Sequence, residues 1–80
     1  MKIEIDKHIV IDSEICHGKP IFKGTRIMVW QILEMLEAGA NEKEILEAFP
    51  SLPSIAIKAA LHYAVGITRG TDNVVINVGA

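Results

Sequence analysis

Apolar residues change their spacing several times along this chain, and each change predicts a new element. From Lys2 to Asp6 polar and apolar positions alternate, which sets Ile3 and Ile5 on one face of a short strand. His8-Ile9-Val10-Ile11 is a second β-prone run, closed by Asp12. Pro20-Ile21-Phe22 and Thr25-Arg26-Ile27 flank Lys23-Gly24, which reads as a hairpin with glycine where the turn needs positive φ. The spacing then lengthens. Val29, Ile32, Leu33 and Leu36 follow helical periodicity and predict a helix over 28–38, stopped by Gly39. Asn41 and Glu44 form a capping-box pattern that opens a second helix over 42–49, with Ile45, Leu46 and Phe49 as its apolar side and Pro50 as its end. Ser51-Leu52-Pro53-Ser54 is a turn, and either serine suits the cap of the third helix. That helix is expected over 54–66, with Ile57, Ala60, Leu61, Ala64 and Val65 inward and Gly66 as terminator. Residues 72–78 read as a further strand, paired with Lys2–Asp6 of the same chain or its twin.

The expected architecture is therefore one mostly α domain over 1–80: a hairpin region at 8–27, a three-helix unit with helix-turn-helix spacing at 28–66, and a tail strand at 71–80. Half of the 80 residues are hydrophobic. A chain this short hides that much apolar surface poorly, so a homodimer or a lasting partner is expected. Net charge is −2 and the pI about 5.8, which argues against a binder of nucleic acid by bulk charge. The charge is nevertheless segregated. Lys19, Lys23 and Arg26 occur without an acid between Cys16 and Leu33, five glutamates lie from Glu34 to Glu47, and Lys58 and Arg69 again stand without acids. One cysteine excludes an internal disulfide. With no leader-like or membrane-length apolar run, the expected location is cytoplasmic.

Gly18-Lys19-Pro20-x-x-x-Gly24-Thr25-Arg26-Ile27, the helix–glycine–helix that follows, Phe49-Pro50 and Leu61-x-Tyr63-Ala64 together resemble the domain-of-unknown-function family numbered four hundred and thirty-three, over roughly residues 8–66. The resemblance implies a small homeodomain-like helix-turn-helix fold. It also implies an antitoxin-like role in a toxin–antitoxin system, beside a PIN-like nuclease toxin. Three departures stand out: Met28 where the family commonly has proline, Ile55-Ala56 in place of an acidic pair, and a tail at 71–80 matching no motif of the family.

The third helix is the candidate recognition element. Lys58 and His62 lie one turn apart, with Ser54 a turn earlier, and Ala56 and Ala59 would allow close approach to a DNA groove or to another subunit. Lys23 at the hairpin tip and Lys19 beside it supply further phosphate contacts. Arg26 has two readings, the favoured one a structural clamp turned inward onto Asp12 or Glu14 and the other a functional contact beside Lys19 and Lys23. Trp30, Met35 and Tyr63 widen the apolar stripes and are candidate partner-facing anchors. Cys16-His17 lacks the base, orienter or further ligands that catalysis or a metal would need, so neither enzyme activity nor a cofactor is expected. The alternative function is a module that masks a partner protein without touching DNA.

Overall fold

In the computed structural model, which describes residues 1–70, a three-stranded antiparallel sheet precedes three helices. The strands are β1 (Lys2–Glu4), β2 (Ile9–Asp12) and β3 (Ile21–Phe22), in spatial order β1-β2-β3. Ile9 faces Phe22 and Val10 faces Ile21 across the β2–β3 ladder. Ile9 and Phe22 join the helices in the core, while Val10 and Ile21 are buried on the other face. β2 is thus apolar on both sides at Ile9 and Val10.

The hairpin differs from expectation in its second arm. Phe22-Lys23-Gly24-Thr25 does turn, with Gly24 at φ 80° and the Thr25 N–H donating to the Phe22 carbonyl at 3.0 Å. Thr25-Arg26-Ile27 forms no strand, and only an isolated bridge links Ile21 to Met28. The Thr25 hydroxyl explains this: it donates to the Phe22 carbonyl and accepts from the Ile27 N–H, replacing ladder bonds with local ones. Between β2 and β3, Cys16, His17 and Gly18 form a single turn in the left-handed region, at φ 51°, 57° and 77°. Nothing in the sequence pattern pointed to it.

The helices are α1 (Val29–Glu37), α2 (Glu42–Ala48) and α3 (Ile55–Gly70). Gly39, at φ 94°, ends α1: its N–H donates to the Leu36 carbonyl, and the Ala40 N–H reaches back to Met35. That pair of bonds is a Schellman motif. The capping box of α2 is present in both halves, Glu44 N–H to Asn41 Oδ1 and Asn41 N–H to Glu44 Oε1, each 2.9 Å. α3 does not stop at Gly66. Gly66 is absent from the positive-φ residues, and the helix runs four residues further, to Gly70. A glycine without proline or a left-handed turn beside it costs a helix about 1 kcal/mol but does not end it.

The core joins Ile9 and Phe22 to Val29 and Ile32 of α1, Ile45 of α2, Leu52 of the turn, and Ala56, Ile57, Ala59 and Ala60 of α3. Two expectations for α3 fail here. Ala56 and Ala59 are buried within this chain, so they serve neither a groove nor a second subunit, whereas Leu61 and Val65 are about half exposed. Met35 and Tyr63 both pack partly buried against the same core. The strand expected at 72–78 lies outside the described residues.

Candidate nucleic-acid interface and apolar groove

The turn between β1 and β2 creates the first candidate surface. The Asp6 carboxylate accepts from the His8 N–H at 2.7 Å and the Ile9 N–H at 2.9 Å, which fixes the turn and presents Lys7 and His8. Opposite stands the Lys23-Gly24 turn, and below both lies the start of α3. Together they enclose a hollow of about 310 Å³ lined by Lys7, His8, Lys23, Gly24, Thr25, Ser51 and Pro53, with Phe22 and Ala56 at its floor. His8 also lines a neighbouring hollow of about 200 Å³, with Asp6, Ile55, Lys58, Ala59 and His62. The structure therefore brings Lys23 close to α3's start and, through His8, into continuity with Lys58 and His62. Ser54, Lys58 and His62 are all exposed.

Two charges temper this surface. Lys23 Nζ donates to Glu4 Oε1 at 3.0 Å, and that hydrogen bond, with the lysine's charge, holds the Glu4 carboxyl below its ordinary range. Asp6 borders the hollow of Lys58 and His62. Lys7 and His8 were missed by sequence reading. Asp6 before two polar residues, between β-prone runs, was the available signal of a turn, but only the fold shows that this turn faces α3.

The second surface is apolar. Pro20, Val29, Trp30, Leu33, Tyr63 and Ile67 line an open groove of about 560 Å³ between α1 and α3, with Lys19 at its rim. Trp30 is 46% exposed, its indole N–H directed to Met28 Sδ at 3.2 Å. Trp30 and Tyr63 thus line one groove together with Lys19, whereas Lys23 and Lys58 line other hollows.

Arg26 does not clamp. It is exposed and makes no ion pair among the described residues. Asp12 instead accepts the Glu14 N–H, and Glu14 lies 4.0 Å from the N-terminal ammonium. The backbone carbonyl of Arg26 accepts from Cys16 Sγ at 3.4 Å, so this segment is held by its main chain rather than its guanidinium. No His/Cys/Asp/Glu cluster suited to a metal occurs among the described residues, and no described helix is long and apolar enough to cross a membrane.

Comparison with known proteins places the chain in a family. An uncharacterized protein, y4eO, of Sinorhizobium fredii (strain NBRC 101917 / NGR234) is 37% identical over 59 residues, which are 72% of this chain and 27% of that protein. The chain therefore spans about a quarter of the length of this relative. A crystal structure of a DUF433 member protein from Anabaena variabilis ATCC 29413 superimposes with a TM-score of 0.73 at 30% identity, covering 86% of this chain and 68% of that one. The family described as "Protein of unknown function (DUF433)" matches residues 9–64, from the central strand through Ala64 of α3, and the chain belongs to that family.

Proposed function

We propose that this protein is an antitoxin-like regulator of homeodomain-like helix-turn-helix type, which binds operator DNA as a homodimer and holds a nuclease toxin on a separate apolar surface. The observation that carries the reading is the segregation of its two surfaces. The cations Lys7, Lys23 and Lys58, with His8, His62, Ser51 and Ser54, cluster around the start of α3. The exposed Trp30 and Ile67 gather with partly buried Tyr63 in the groove with α1. On the first surface, Lys58 and His62 face the nucleic acid and Lys7 and Lys23 contact backbone phosphates; phosphate contacts set register and salt dependence. On the second, Trp30 is the anchor. The PIN-like identity of the toxin comes from the family resemblance, and Lys19 at the groove's rim serves the partner rather than DNA.

A mobility-shift series with the protein's own promoter fragment tests the DNA half. Binding should weaken steeply with salt, and Lys58→Ala should lower affinity and flatten the log–log salt slope by about 1. Absence of any shift at low salt refutes DNA binding. One observation favours the alternative, a masking module that leaves DNA alone: Asp6 beside Lys58 and His62, and Glu4 on Lys23, place carboxylates where phosphates would sit.

A further inference from the structure

We infer that the outer edge of β1 pairs with β1 of a second copy, antiparallel about a twofold axis at Ile3, and so joins two three-stranded sheets into one. The inference rests on the reading of this protein as a homodimer and gives that dimer its surface. The Ser13 N–H donates to the Met1 carbonyl and the Ile5 N–H to the Ile9 carbonyl, so Met1, Ile3 and Ile5 direct their backbone groups to β2. In an antiparallel ladder the intervening residues point the other way. Lys2 and Glu4 therefore turn their N–H and C=O groups to the outer edge, where no described strand receives them. Such an edge is a template for pairing.

The charges choose both the occupant and the register. Hydrogen bonds across this edge require Lys2 and Glu4 to face outward-pointing residues of the other strand, so a copy can be centred on Lys2, Ile3 or Glu4. Centring on Lys2 sets that lysine against its own copy, and centring on Glu4 does the same with carboxylates. Centred on Ile3, Lys2 of each copy lies opposite Glu4 of the other. Opposite charges stabilise a cross-strand pair, and like charges directly opposite destabilise it. Lys2-Ile3-Glu4 is thus complementary to itself in one of these registers. Lys2 is exposed and makes no ion pair among the described residues. Glu4 receives Lys23 on Oε1, so Oε2 can receive Lys2 of the second copy.

The apolar side chains agree. Ile3 stands opposite Ile11 and Ile5 opposite Ile9, so both lie on the sheet face that meets the helices, yet they are 51% and 42% exposed. In the Ile3-centred register the two Ile3 residues form a non-hydrogen-bonded pair, the geometry that brings Cα atoms to about 4.5 Å and side chains closest. Ile5 of each copy then meets Met1 of the other, and Met1 is likewise exposed. Pairing therefore covers Met1, Ile3 and Ile5 of both copies on the face where the helices already lie. α3 flanks the junction, since Ile5 and Asp6 share a hollow with His62, Tyr63, Gly66 and Ile67.

Sedimentation equilibrium of the full chain tests this. Lys2→Glu and Glu4→Lys each set like charges opposite one another at both ends of the pairing, and each should raise the dimer dissociation constant about 10-fold or more. An equimolar mixture of the two variants should recover the parental constant, because each strand then meets its complement. Glu4→Gln removes only an exposed attraction and leaves the dimer formed. Amide exchange gives a second readout. Glu4, whose N–H points into the junction, should be protected in the dimer and lose that protection on dilution, while the Ile45 amide stays protected and reports an intact fold. A monomer at every concentration, a dimer indifferent to both charge swaps, or Glu4 protection that survives in the monomer overturns the inference. A dimer that responds to the swaps but shifts no promoter fragment sinks the operator reading and leaves this pairing standing.

Discussion

The two parts of α3 each carry five apolar residues and meet opposite fates. In Ile55–Ala60, Ala56, Ile57, Ala59 and Ala60 are sealed in the core, whereas from Leu61 to Gly70 no residue is fully buried. Length explains the difference. α1, the helix packed against it, has nine residues and α3 has sixteen, about 14 Å against about 24 Å. The outer half has outrun its neighbour. Helical periodicity shows that a face is apolar, but what covers the face depends on the length of something else. The halves also differ in surroundings, since the basic hollows border the first and the Trp30 groove reaches into the second.

The largest effect that can break this contrast is at its two ends. Ile57→Ala should cost about 2–5 kcal/mol in urea unfolding, as buried isoleucines do. Val65→Ala should stay within about 0.5 kcal/mol at low protein concentration, since the side chain is half exposed. A Val65→Ala cost comparable to that of Ile57→Ala, growing with protein concentration, would mean that the outer half is covered after all, by a second copy.

Glycines sharpen the same point at intermediate size. Gly39 sits at φ 94°, so Gly39→Ala should destabilise by about 1–2 kcal/mol. Gly66 lies within a helix, and a Cβ there meets nothing within 4 Å. Gly66→Ala should therefore stabilise by about 0.5–1 kcal/mol. Destabilisation by Gly66→Ala would place the end of α3 at Gly66, with the outer half no longer a helix.

Those two glycines also mark what the sequence could reveal. Gly39 was legible because its helix stops at once and a capping box follows within two residues; every interaction involved is local. Asn41 with Glu44 and the Lys23-Gly24 turn were legible for the same reason. Gly66 misled because a glycine's φ is not written in its identity. The left-handed turn at Cys16-His17 was hidden: cysteine does not favour that region, and histidine, though enriched there, enters it too seldom to mark a turn. At the site, Trp30 and Tyr63 could be picked by type. That Lys7 and His8 would border Lys58, that Lys19 would stand with Trp30, and that Arg26 would remain outside all depend on which distant segments pack together. The stripe of α3 was drawn a quarter turn off for a related reason. Alanines at 56 and 59 score as weakly apolar, but they are what lets α3 sit close to α1 and the sheet.

The smallest effect belongs to Glu4, and it tests whether the inner half of α3 borders a working phosphate surface. Lys23 holds this carboxyl below its ordinary range. The stabilisation from the pair is therefore complete above the unfolded carboxylate's pKa and is lost as pH falls through the depressed folded value. Glu4→Gln should be slightly less stable than the parent at pH 7, and the gap should close in acid, where the parent loses the same contact. The pair is exposed, so salt should shrink the gap too. DNA binding should move the other way. With Glu4 neutralised, Lys23 is released to a phosphate, and promoter affinity at neutral pH should rise modestly while binding of a protein at the Trp30 groove stays constant. A fall in promoter affinity would show instead that Glu4 holds Lys23 in its binding position.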